Sequence, residues 1–92
     1  MSYPHGDSGH QSRFRFGSYL RDLRKGKNLT LTNVAKDIGI TCSYLSMIET
    51  GERGITDKIL KGLAGKYNIP LEQMMIKRYW PQLPLLFPHL RQ

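Results

Sequence analysis

Few side chains in this sequence are placed to do chemistry, and their spacing favours contact over catalysis. The three histidines, His5, His10 and His89, stand apart. His5 and His10 have no third residue spaced to complete a metal site with them. The single cysteine, Cys42, has no second cysteine to pair with. No paired carboxylate and no Ser-His-Asp set is present. Enzymatic activity, a bound metal and a cofactor are therefore not expected. What remains is basic charge. Residues 13–27 carry Arg13, Arg15, Arg21, Arg24, Lys25 and Lys27 against Asp22 alone, six positive charges to one negative, or +5 of a total of +7. So concentrated a patch suits contact with phosphates. A solvated helix face is the plainer alternative.

The elements that would carry this patch are helices. The chain has 92 residues, 39% of them hydrophobic, which is room for one small domain. No apolar run approaches the ~20 residues that span a bilayer. Residues 1–12 lack the apolar stretch of a signal peptide. A cytoplasmic protein with a polyanionic partner is the expectation, and the chain offers no stretch for a ligand-sensing domain.

Three regions are expected. Residues 1–12, rich in Gly, Ser and His, read as a disordered tail. Residues 13–77 show helical periodicity. Phe16, Leu20 and Leu23 share one helix face, and Gly26 and Asn28 end that helix. Thr30 can cap a second helix with Val34, Ala35 and Ile38 inward, stopped by Gly39. Thr41 can cap a third helix, with Leu45 and Ile48 inward and Tyr44 beside them. Thr56 can cap a fourth, with the stripe Ile59, Leu60, Leu63, Ala64 and Tyr67. Pro70 fits the first turn of a fifth through Met74 and Met75. Residues 78–92 are apolar but broken by Pro81, Pro84 and Pro88. This extension either folds back on its own bundle or packs on a second copy, with Tyr79, Trp80, Leu83, Leu86, Phe87 and Leu90 as dimer candidates.

Residues 31–49 carry the most demanding pattern. Ala35 lies four before Gly39, Ile40 follows directly, and Leu45 and Ile48 come six and nine positions after the glycine. Two helices crossing steeply need a small residue at the approach, a glycine at the turn and large aliphatics on one side of the second helix.

With Phe16-Gly17-Ser18-Tyr19-Leu20-Arg21-Asp22-Leu23-Arg24 before it, Ser43 to Gly51 completing it and Leu63 to Glu72 after it, residues 16–75 resemble the helix-turn-helix domain of phage repressors and Cro proteins, the XRE-like bacterial regulators. The resemblance implies an all-α, compact five-helix, repressor-like DNA-binding bundle. It implies a sequence-specific transcriptional regulator, a repressor binding a two-fold operator on double-stranded DNA as a homodimer. The recognition helix, residues 42–50, would enter the major groove. Cys42, Ser43, Ser46 and Met47 would face base edges. Thr30, Thr32, Thr50 and Arg53 would meet phosphates. Arg13 and Arg15, ahead of the first helix, would form a basic arm. Arg24 and Glu49 occupy the positions of a structural ion pair. The alternative is a protein-interaction module using the same surface.

The sequence also departs from the family. Leu31 stands where many members have Gln, and Glu52 where a basic residue is common. The reading face lacks Gln, Asn and Arg, so direct readout looks permissive. Cys42 reads most simply as a small contact residue, although a thiol near a helix N-terminus can be an oxidation switch.

Overall fold

The structure, a computed structural model, describes the backbone of residues 7–79 and the side chains of residues 13–79. Five helices follow one another: α1 (Asp7–Gly26), α2 (Leu31–Ile38), α3 (Cys42–Thr50), α4 (Asp57–Tyr67) and α5 (Leu71–Tyr79). Among the described residues there is no strand, and no helix is long and apolar enough to cross a membrane.

The boundaries follow local chemistry. Thr30, Thr41 and Thr56 are the N-caps of α2, α3 and α4, each hydroxyl accepting the N–H of the residue three further on. Gly39 and Gly51 close α2 and α3 in the left-handed region, at φ 80° and 84°. Asn28 and Asn68 take the same conformation after α1 and α4. Asn28 is the stop expected from the sequence, and Asn68 is a second one of the same kind.

Two boundaries differ from the periodicity. α1 starts at Asp7, so residues 7–12, read as disordered tail, are helical in backbone. Once a helix is nucleated, each further residue adds a hydrogen bond at low cost, and polar composition alone does not end it. At the other end α5 continues past Met75 to Tyr79, which takes in Arg78 and Tyr79. Pro70 lies just before α5 rather than in its first turn, and its carbonyl accepts the Met74 N–H at 3.0 Å. The remaining extension, with Trp80, Leu83, Leu86, Phe87 and Leu90, lies outside the described residues, as do residues 1–6.

The core takes Phe16 and Leu20 from α1, Val34 and Ala35 from α2, Leu45 and Ile48 from α3, the five-residue stripe of α4, and Met74 from α5. The tightest approach is between α1 and α3. A Cβ added at Gly17 would lie 2.4 Å from the Ile48 carbonyl oxygen and 2.5 Å from that of Glu49. These are backbone atoms and cannot swing aside. At the other end of the same crossing, a Cβ on Gly51 would lie 2.8 Å from the Phe14 Cα.

Gly17→Ala is accordingly expected to destabilise the fold by about 1–3 kcal/mol through overpacking. Gly26→Ala, where nothing lies within 4 Å of the added carbon, should be neutral or mildly stabilising, because alanine favours the helix. Urea unfolding of both variants checks this, and equal midpoints would show that α1 and α3 are not in backbone contact.

Candidate nucleic-acid interface

The turn between α2 and α3 sets the site. The Ile40 N–H donates to the Ala35 carbonyl at 2.9 Å across the left-handed Gly39, which reverses the chain in three residues. Thr41 then accepts the Tyr44 N–H at 3.0 Å and starts α3. Leu45, Ile48 and Glu49 turn inward. Cys42, Ser43 and Thr50 are exposed, while Ser46, Met47 and Tyr44 are half-buried. Thr32, exposed near the start of α2, has its hydroxyl 3.8 Å from the Cys42 Sγ. The N-termini of α2 and α3 therefore open on one edge. Neither has an acidic residue in its first turn to cancel its positive field.

The other candidates fall in different settings. The Thr30 hydroxyl is already used twice: it accepts the Asn33 N–H at 3.0 Å and donates to the Asn33 Oδ1 at 2.7 Å. What α2 offers an anion at that end is its free backbone N–H groups rather than this hydroxyl. Asn33 was missed in the sequence. Its place three residues after a threonine cap, as in a capping box, was the available signal. Thr50 donates to the Met47 carbonyl at 3.2 Å. Arg53 is exposed, with its guanidinium carbon 5.9 Å from the Tyr44 ring centroid. Arg13 and Arg15 lie within α1 and not in an arm ahead of it, because the helix already begins at Asp7. Arg15 is exposed; Arg13 Nε donates to the Gly51 carbonyl at 3.3 Å, bracing the end of α3.

Arg24 and Glu49 meet in a two-point ion pair. Nε lies 2.8 Å from Oε2 and Nη2 lies 3.1 Å from Oε1. Nη1 donates to the Leu29 carbonyl at 2.9 Å. The two residues are only 7% and 6% exposed. The hydrogen-bonded Glu49 carboxylate raises the Arg24 pKa above its ordinary value, against the opposing effect of burial. Arg24 is thus withdrawn from the basic patch. Arg15, Arg21, Lys25 and Lys27 are the members of that run left exposed.

A family of helix-turn-helix domains, HTH_3, matches residues 20–74. The chain belongs to this XRE-type helix-turn-helix family. It is a family of transcriptional regulators and not of enzymes. The HTH-type transcriptional repressor RghR of Bacillus subtilis is 38% identical over 63 residues, 67% of this chain and 47% of that protein. An uncharacterised HTH-type regulator of the same organism, RghRB, is 38% identical over 61 residues, 65% of this chain and 44% of its own length. The chain thus spans less than half the length of either Bacillus relative. The restriction-modification controller protein C.AhdI of Aeromonas hydrophila superposes with a TM-score of 0.66 at 28% identity, covering 70% of this chain and 97% of the controller.

Within the helix-turn-helix core, Tyr67 lies beside the ion pair. It is fully buried, and among the described residues its hydroxyl has no hydrogen-bond partner. Burial pushes its pKa up to about 12, with the Glu49 carboxylate adding and Arg24 opposing. A raised phenol pKa means that stability is full below pH 10 and is lost as pH climbs from 10 through about 12. Tyr67→Phe should be neutral or stabilising at pH 7, since no hydrogen bond is lost. It should also remove that alkaline loss, which denaturant midpoints measured across pH 9–12 would reveal. Glu49→Ala should cost about 3–5 kcal/mol by leaving a buried guanidinium unpaired. An unchanged melting temperature in Glu49→Ala would mean that the pair does not hold in solution.

Proposed function

We propose that this chain is the DNA-reading part of a transcriptional repressor that binds a two-fold operator as a homodimer, with α3 in the major groove. The observation that carries the reading is the shared edge where Thr32 of α2 meets Cys42 of α3. It sets two helix N-termini without acidic first turns beside the exposed start of α3. Such an edge suits a phosphate at α2 while the first turn of α3 reaches base edges.

Cys42, Ser43, Ser46 and Met47 are the base-edge residues in this reading. Met47 and Cys42 suit a thymine methyl, and the two serines accept or donate to several bases. Thr32, the backbone N–H groups at Thr30, Thr50 and Arg53 meet phosphates, and Arg13 and Arg15 add charge from α1. The dimer contact falls at the end of α5 and beyond it, at Tyr79, Trp80, Leu83, Leu86, Phe87 and Leu90. The exposed Met75 and Ile76 lead toward it. The relative named as a repressor supports the sign of regulation.

Selection of bound duplexes from a random pool tests the whole. A palindromic consensus with half-sites about one helical turn, ~34 Å, apart is expected. On that duplex, log Kd should rise with log salt by about 0.9 per phosphate neutralised. Ser43→Ala and Met47→Ala should each relax preference at one or two positions, by about 1–3 kcal/mol per base pair. A pool that yields no consensus, with a protein partner bound at a Kd indifferent to salt, would replace this reading with a protein-interaction module. A protein that sediments as a monomer on its operator would remove the dimer.

A further inference from the structure

Arginines from three separate elements line one depression. Arg13 of α1, Arg53 of the loop after α3 and Arg78 of α5 line it together with Phe16, Ile48, Gly54 and Ile55. The depression is shallow and half open to solvent, so a group seated in it stays in contact with water. Among the described residues, no carboxylate lines it. Among the described residues, the ion pairs are those of Arg24 with Glu49 and of Lys66 with Asp37, so none of these three arginines is neutralised there. Three like charges on one small depression raise its potential and favour an anion.

How the guanidiniums are held decides what kind of anion. The Arg78 guanidinium carbon lies 6.0 Å from the Phe16 ring centroid and 5.1 Å from that of Tyr79. Arg53 lies 5.9 Å from the Tyr44 centroid. Arg13 uses Nε on the Gly51 carbonyl. Contacts over aromatic faces position a guanidinium without using its N–H groups. The edges of Arg53 and Arg78 and the terminal nitrogens of Arg13 are left as donors, and planar forks of this kind match phosphate oxygens.

We propose that Arg13, Arg53 and Arg78 form a binding site for a single phosphate group. The group comes either from a phosphate-bearing small molecule or from a DNA strand beyond the α2–α3 edge; only the second source rests on the regulatory reading above.

Inorganic phosphate is the probe. It is titrated into the full chain at ionic strength held constant with sodium chloride, following the side-chain Nε–H signals of the arginines by NMR. Saturable shifts of Arg53 and Arg78 are expected. Arg78→Gln and Arg53→Gln should each weaken phosphate about tenfold, the scale of one charge-assisted hydrogen bond. Lys61→Gln, on exposed α4 surface, should not. Affinity for the selected duplex then assigns the source. If Arg78→Gln weakens DNA binding and flattens the salt slope by about 0.9, the phosphate is the strand's. If it leaves DNA binding intact while losing the ion, the ligand is a small molecule. Saturable phosphate binding by a protein that selects no DNA would keep this site and overturn the regulatory reading. Non-saturating shifts, or variants that bind both phosphate and DNA like the parent, would overturn the site.

Discussion

One guanidinium ties α3 to the rest of the molecule. Arg24 donates to both oxygens of Glu49 and to the carbonyl of Leu29, so it joins the end of α1, the loop to α2 and the last turn of α3. Desolvating two charges is costly, and such a pair is weak evidence of net stability. Its effect is geometric. A planar fork satisfied at three acceptors leaves α3 little freedom to rotate, which a lysine could not do. Rotation of α3 would carry Cys42 and Ser43 off the open edge and drive Leu45 and Ile48 out of the core.

The same contact explains a stripe along α1. Arg13, Gly17, Leu20 and Arg24 are spaced by four, three and four residues and share one helix face. All four turn toward α3 or the core. Arg13 meets the Gly51 carbonyl, Gly17 meets the backbone of Ile48 and Glu49, Leu20 is fully buried, and Arg24 holds Glu49. Glycine in the middle lets the helices close in. Arginines at either end then reach acceptors on the last turn of α3 and just after it. The basic run of residues 13–27 thus divides into an inner pair, Arg13 and Arg24, that orients α3 and an outer set, Arg15, Arg21, Lys25 and Lys27, left exposed.

Much of the fold was legible because its signals are local. The threonine caps, the glycines that close α2 and α3 and the inward stripes of α2, α3 and α4 are all set by neighbours within a few residues. The start of α1 was not, because apolar periodicity marks only the buried part of a helix and residues 7–12 carry none. Nor was the close approach. A small residue was expected between α2 and α3 at Ala35, which is indeed buried. Yet the backbone contact lies at Gly17, whose partners are more than thirty residues away. The arginine depression was illegible for the same reason. Arg53 and Arg13 drew notice as separate cations, but nothing local to Arg78 says that α5 returns it to Phe16.

The caps carry a further distinction. All three identified N-caps are threonine, a neutral residue, yet the first turns beyond them differ. The first turns of α4 and α5 carry Asp57 and Glu72, which complement the helix dipole from within the protein. α2 and α3 have no acid there. An acid would stabilise those helices too, by roughly 0.3–1 kcal/mol each, so stability alone favours one. Its absence at the two ends that share an edge, and its presence at the two that do not, follows if those two ends face an anion. A carboxylate there would repel the phosphate that a helix N-terminus attracts. The plainness of the proposed reading face fits the same logic: hydroxyls, a thiol and a thioether place no charge of their own between the helix ends and a strand. In the proposed arrangement the positive ends of α2 and α3 would hold the backbone, and the small side chains of α3 would be left to sense the bases.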